Sequence, residues 1–399
     1  MKNNKKLFGF GRNVVITGLV SFFMDFSSEM IYPLIPLFLS NVLGASKSTI
    51  GLIEGIAEST ASLLRVFSGW FSDRIGNRKW LIAAGYGIST LSRPLIALAP
   101  SWHYVLTSRF TDRFGKGIRV APRDALIAES SESAYLGRAF GLQKAMDTFG
   151  AVIGPAVAFL LLGLLNNDYR KVFWISMVPG TIAVLLIILF ITERKRKAPL
   201  PRSARPKLTT DHFDARFRFF VVIMTIFALG NSSDVFLILR AQQVGIPTVM
   251  IPVVYLSFNL IYSLSAIPAG IAADRFGRKR IILSGFLLFA AVYYGFAVVK
   301  STSLIWLLFG LYGVFMGLTE GVVKAFLAAI IPSDFKATAF GVYTTAVGLA
   351  MFPASLIGGW LWDRVSPSAT FYFGATTALL SALLFAAFIV LTRQSAHKR

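Results

Sequence analysis

The chain contains no cysteine among its 399 residues. Thiol catalysis, thiolate metal sites, disulfides and redox switching are therefore excluded. Charge is also scarce. Asp, Glu, Lys and Arg make up 15% of the residues, against about 25% in a typical soluble domain. Histidine is limited to His103, His212 and His397, which are far apart, so a histidine metal site has no support. No glycine-rich loop ends in Lys-Ser or Lys-Thr, which disfavours work driven by ATP. These shortages exclude a disordered chain and argue against a soluble enzyme.

What is present is apolar and basic. Hydrophobic residues account for 55%, phenylalanine alone for 36 positions, and the mean hydropathy is +0.66. The net charge is +21, from 40 Lys and Arg against 19 Asp and Glu. Such a balance suits nucleic acid, but the bases sit in short clusters between long apolar runs, where membrane proteins anchor their cytoplasmic loops. Nucleic acid is accordingly not expected as a partner.

A membrane-crossing helix needs about 20 mostly apolar residues. Twelve segments qualify: about 14–40, 48–71, 79–98, 102–127, 136–163, 172–192, 217–240, 247–272, 279–299, 303–330, 335–361 and 369–391. The first is too long for a signal h-region and holds Asp25 and Glu29, so it is expected to remain as a span. The stretch 193–216 includes Arg194-Lys195-Arg196-Lys197, Pro199, Pro201 and Pro206. It reads as a cytoplasmic linker between a six-span bundle at 1–192 and another at 217–399. With the N-terminus inside, the inner segments carry roughly 25 Lys and Arg and the outer ones about six, so both termini are expected in the cytoplasm. The expected fold class is an all-α integral membrane protein of the inner membrane, multi-pass and monomeric.

The two halves share a signature. Gly69-Trp-Phe-Ser-Asp73-Arg74-Ile-Gly76-Asn-Arg78-Lys79 recurs as Gly270-Ile-Ala-Ala-Asp274-Arg275-Phe-Gly277-Arg278-Lys279. Asp73 and Asp274 stand 201 residues apart, about half the chain, which suggests duplication of a six-helix unit. With these two loops the sequence resembles the major facilitator superfamily across essentially its whole length. Three further matches are similar to its twelve-helix drug–proton antiporter branch: Pro33-Leu-Ile-Pro36-Leu-Phe-Leu in the first span, Arg113-Phe-Gly-Lys-Gly117 in the fourth, and Gly141, Gly150 and Gly154-Pro155 in the fifth. The last pattern departs from the family's where Ala158 and Phe159 stand in place of its final glycines. The resemblance implies two six-helix bundles, alternating access and proton-driven export. It also implies a gate latch at Asp73, Arg74, Gly76 and Arg78, with Arg78 reaching Glu129, and a second copy at Asp274, Arg275 and Gly277. Gly141, Gly150 and Gly154 would leave one face of the fifth span without side chains, so backbones can approach closely there, and Pro155 would add a bend.

Ionisable residues at bilayer depth are costly and mark a pathway by default. They concentrate in the first half. Asp25 and Glu29 share a helix face, and Asp25 lies roughly 16 Å from the start of its apolar run, near the midplane. A carboxylate whose exposure and basic partner change between two conformations can take up and release a proton. Asp25, Glu29, Arg113 and Asp147 are therefore the proton-coupling candidates. A permanent ion pair of the first-span acids with Arg113 is the structural alternative. In the fourth span Arg109, Asp112, Arg113, Lys116, Arg119, Arg123 and Asp124 fall within an arc of about 140°, which suits a water-filled cavity or an anionic group. Glu54, Glu58, Arg109, Lys116, Arg119, Tyr255, Asn259, Glu320 and Lys324 are candidates to line a substrate cavity, although Glu320 and Lys324 also have the spacing of a local ion pair. Asp234 is expected to pair with Arg240 or line an entrance.

Two functional readings follow. The first is a secondary transporter that exports a small organic solute or drug by antiport, with the proton gradient as energy source and no cofactor. The second is uptake or facilitated transport of an anionic metabolite or metal chelate, siderophore-like, through the basic fourth-span site.

Overall fold

The computed structural model describes residues 10–75, 78–132, 135–192, 214–331 and 336–397. Its long elements are all helices: α1 (Arg12–Ile31), α2 (Lys47–Ile75), α3 (Arg78–Ala97), α4 (Trp102–Glu129), α5 (Leu136–Leu164), α6 (Tyr169–Phe190), α7 (Ala215–Gly230), α8 (Val235–Val244), α9 (Ile251–Phe276), α10 (Arg278–Val298), α11 (Thr302–Ile330), α12 (Lys336–Arg364) and α13 (Pro367–His397). Among the described residues nine helical segments are long and apolar enough to cross a membrane. α2, α3 and α4 are not among them. They are long enough to span, but their acids and bases lower the hydropathy. The linker 193–213 lies outside the described residues.

Local chemistry sets several boundaries. α6 and α7 start on aspartate caps: Asp168 accepts from the Lys171 N–H at 3.2 Å and Asp214 from the Phe217 N–H at 2.9 Å, satisfying backbone donors that the first helical turn leaves open. Asn166 and Asn167 carry positive φ angles of 52° and 61° in the tight link from α5 to α6, a region asparagine tolerates better than most residues.

Two helices at corresponding places in the chain are interrupted. α1 gives way at Tyr32–Leu34 to a tighter turn, because Pro33 has no N–H to donate back to the preceding helix. α7 stops at Gly230 and α8 resumes at Val235. The intervening Asn231, Ser232, Ser233 and Asp234 compete for backbone hydrogen bonds and are poor helix interiors. Pro33 and Asp234 are separated by the same 201 residues as the repeated loops. Irregular backbone at bilayer depth persists only where protein or a cavity satisfies it.

Contacts group the chain into two units. The first comprises 1–45, 56–204 and 248–256, and the second 46–55, 205–247 and 257–399. The first unit has a core of Val20 and Met24 from α1, Ile82 and Tyr86 from α3, Leu126 from α4, and Ala183 and Ile187 from α6. α1 and α5 meet backbone to backbone. A side chain at Gly150 would strike the Phe22 carbonyl, and one at Gly154 would lie 2.8 Å from the Met30 nitrogen and 2.9 Å from the Phe26 oxygen. Gly141 differs from the sequence expectation, because nothing lies within 4 Å of the position its Cβ would occupy. It sits three turns from the contact, so the close approach belongs to Gly150 and Gly154 alone. α5 runs on through Pro155.

The second unit is built on aromatic rings. Phe227 stacks on Phe286 with centroids 4.6 Å apart, Phe289 on Tyr293 at 4.0 Å, and Phe315 meets Phe289 edge-on at 4.9 Å. Offset and edge-on pairs of this kind add about 0.5–1.5 kcal/mol each beyond burial. Here too the first turn of α2 is capped from a distance, by Asp363 of α12.

Candidate functional site

The first unit encloses a narrow cavity of about 20 Å³, room for about one water molecule. α1 supplies Asp25, Ser28 and Glu29, the turn after it Tyr32, α3 supplies Arg93, and α4 supplies Arg109, Asp112, Arg113, Lys116 and Arg119. The α4 residues recur at three- and four-residue spacing, so one face of the helix carries all of them. Five bases thus face three acids.

Each base is held differently. Arg93 donates to Ser27 Oγ at 3.2 Å, Ser28 Oγ at 2.8 Å and Ser92 Oγ at 3.1 Å, and lies 3.4 Å from the Asp112 carboxylate. Arg113 pairs at 2.9 Å with Glu58 of α2. Arg113 also acts through space on Glu29 of α1. Arg119 donates to Ser89 Oγ at 2.5 Å and stands over the Tyr86 ring at 4.5 Å. Arg109 lies over the Tyr32 ring at 5.4 Å. Lys116 interacts through space with Asp25 and Glu58, but no carboxylate among the described residues comes within 4.0 Å of its ammonium.

The acids of α1 are half-buried. Asp25 faces Lys116 and Arg119 on α4 and Asp147 on α5. Asp147 accepts from Gln143 Nε2 at 2.6 Å, and Gln143 also reaches Ser21 Oγ at 3.2 Å. Glu29 takes a hydrogen bond from Tyr255 and faces Arg109, Arg113 and Lys116. Its Oε2 is buried with no hydrogen-bond partner among the described residues. A buried carboxylate oxygen with an unused lone pair in a cavity rich in donors is free to accept a proton or a new contact.

The other candidates lie elsewhere. In the second unit Glu320 accepts from the Tyr262 hydroxyl and pairs with Lys324 at 3.0 Å, one helical turn away. Asn259 is buried on α9, and Glu54 is buried on α2. Asp234 accepts from Tyr312 at 2.7 Å, while Arg240 donates to the carbonyls of Phe296, Ala297 and Val299. The expected Asp234–Arg240 pair is therefore replaced: the guanidinium closes carbonyls that the end of α10 leaves open. At the repeated loops, Arg78 contacts Glu129 at 2.6 Å with Arg78 almost fully buried. Asp73 and Arg74 lie in α2 with side chains outside the described set, as is Gly76. In the second copy Asp274 is exposed, 3.8 Å from Arg278, Arg275 stands over Phe276, and Gly277 has φ of 92° at the junction of α9 and α10. Among the described residues no three His, Asp or Glu side chains converge to hold a metal.

Sequence reasoning undervalued Arg93, which links α1, α3 and α4. The signal was present, since Arg93 is the one charged residue within the third predicted span apart from Lys79 at its edge.

With the geometry established, comparisons with known proteins become informative. The model of the Major Facilitator Superfamily matches residues 17–255 and 219–399. The chain belongs to this superfamily. Among superfamily members, an uncharacterized MFS-type transporter of Methanocaldococcus jannaschii is 36% identical over 96% of both chains. A multi-drug resistance efflux pump PmrA homolog of Lactococcus lactis is 25% identical over 91% of both. A variant of the nucleoside transporter NupG has the same fold, with a TM-score of 0.80 at 13% identity, over 94% of this chain and 99% of that one. The protein is a multi-pass membrane transporter of the major facilitator superfamily and not an enzyme.

Proposed function

We propose that this transporter couples movement of a small organic solute to protons, by alternating access across the inner membrane, with Asp25 and Glu29 as the proton carriers. The observation that carries the reading is the placement of both carboxylates in one buried cavity against the bases of α4, with Glu29 Oε2 unpartnered among the described residues. A proton arriving at either acid changes the charge that Lys116 and Arg119 face. That change can bias one conformation over another. The twelve-span topology, cytoplasmic termini, bundles at 1–192 and 217–399 and a monomeric state belong to the same proposal.

Export in exchange for protons is supported by the Gly150 and Gly154-Pro155 pattern and by likeness to a protein named as a multi-drug efflux pump homolog. A second reading has its own observation. Five bases against three acids in the cavity favour an anionic metabolite, taken up or passed through the α4 site.

The test uses purified protein in liposomes with an imposed pH gradient of either sign. Solute-driven proton movement is expected in wild type and is lost in Asp25→Asn, which imitates the protonated acid. Glu29→Gln gives a milder defect or shares it, if the pair titrates together. Full coupling in both variants would make the α1 acids structural.

A further inference from the structure

We infer that the cavity of the first unit is a site for an organic anion, which docks on Lys116 and Arg119 and loads together with a proton. The inference rests on reading this cavity as the transport site, and it names the class of solute and the sign of the coupling.

The charges divide into groups. Two bases already have a carboxylate at hand, Arg93 with Asp112 and Arg113 with Glu58. Arg119 is satisfied by neutral partners, the Ser89 hydroxyl and the Tyr86 ring. Lys116 has no carboxylate among the described residues within 4.0 Å. Two positive charges, one on a flexible stem, therefore face the cavity with only distant counter-charge. That charge comes from Asp25 and Glu29, both of which feel Lys116, and from Glu58, whose carboxylate Arg113 already holds. Asp147 on α5 and Arg119 also act on Asp25, while Arg109, Arg113 and the Tyr255 hydroxyl act on Glu29.

The linkage follows from this arrangement. With Asp25 and Glu29 ionised, an incoming anion meets two like charges. Once they take up protons, Lys116 is left with only Glu58, which Arg113 shares, Arg119 loses the charge of Asp25, and the anion supplies what is missing. Proton and anion therefore strengthen each other's binding. A cation has the opposite relation to the proton, and it must also enter among five bases. A site of this sign moves anion and proton in the same direction, so it goes with the second reading above, an anionic metabolite taken up through the α4 site, and not with exchange for protons. The cavity is narrow as it stands, so the anion is admitted when the transport cycle widens it.

The test uses the full chain in detergent or nanodiscs with citrate, succinate and benzoate, dimethyl succinate as the neutral control and tetraethylammonium as the cation. Calorimetry in two buffers of different ionisation heat reads the protons exchanged. At least one of the three anions is expected to bind with proton uptake, its affinity rising by up to about tenfold per pH unit as pH falls. Lys116→Gln should weaken that binding about tenfold or more, and Lys116→Arg should retain most of it. If Lys116→Gln does not fold, Arg119→Gln serves, and proton uptake by wild type remains decisive. Proton release on binding, binding of tetraethylammonium alone, no binding of any of the three anions, or an unchanged affinity in the folded Lys116→Gln would each overturn the inference. Proton-coupled flux of a neutral or cationic solute without anion binding removes this inference and leaves the proposed transporter standing. Anion binding with proton uptake but no flux in liposomes does the reverse.

Discussion

Asp363 of α12 caps α2 through Ser48: its carboxylate accepts from the Ser48 N–H at 2.7 Å and from the Ser48 hydroxyl at 2.6 Å. The same group accepts from the Lys47 N–H at 3.1 Å. A helix normally finds its cap in the residue just before it. Ser46 fills that role here, accepting from the Thr49 N–H at 3.1 Å, and Asp363 adds a second cap from 315 residues later in the chain. Asp363→Ala should therefore lower thermal stability by about 1 kcal/mol, and Asp363→Asn by less, since the amide oxygen still accepts. Melting curves of the purified variants check this. Equal curves for wild type and Asp363→Ala would show that α2 starts without it.

The Arg113–Glu58 pair gives a second prediction. Removing one partner leaves the other as an uncompensated charge, so Arg113→Ala should cost about 3 kcal/mol. The loss should exceed that of Asp25→Asn, and a Glu58→Gln change made together with Arg113→Ala should restore part of it. Arg113→Lys keeps the charge without the planar fork and is not a neutral control. A double-mutant cycle on melting free energies reads the coupling.

The glycines of α5 should separate by position. Gly154→Leu forces a side chain onto backbone atoms of α1 that cannot move aside, and overpacking of this kind costs about 1–3 kcal/mol. Gly141→Ala meets open space and should stabilise the helix by about 0.5–1 kcal/mol. Similar effects at the two sites would contradict the backbone contact assigned to Gly154.

Arg78 and Glu129 supply a fourth prediction. If their contact at 2.6 Å acts as a latch, Arg78→Ala and Glu129→Gln should change the transport rate alike. The double variant should add little, because each single change already opens the contact. Additive losses would indicate two separate roles.

Much of the first unit was legible from spacing. Asp25 and Glu29 stand four apart, and the bases of α4 recur every three or four residues, so helical geometry alone puts each set on one face. Which acid meets which base was not legible. The 2.9 Å contact of Arg113 with Glu58 depends on how α2 packs against α4, and no local pattern encodes that packing. α2, α3 and α4 fall short on hydropathy for a related reason: the acids and bases they carry, among them the Arg93–Asp112 and Arg113–Glu58 pairs, lower the average. The Asp363 cap was invisible because its two ends are remote in sequence.

The backbone contact of α1 with α5 at Gly150 and Gly154 has a mechanical consequence. Two helices locked main chain to main chain travel as one rigid piece. Asp25, Glu29 and Asp147 ride on that piece together, so in the proposed alternating-access cycle they would keep their mutual spacing. The acids then behave as a fixed post, and the boundary between water and protein is what sweeps past them.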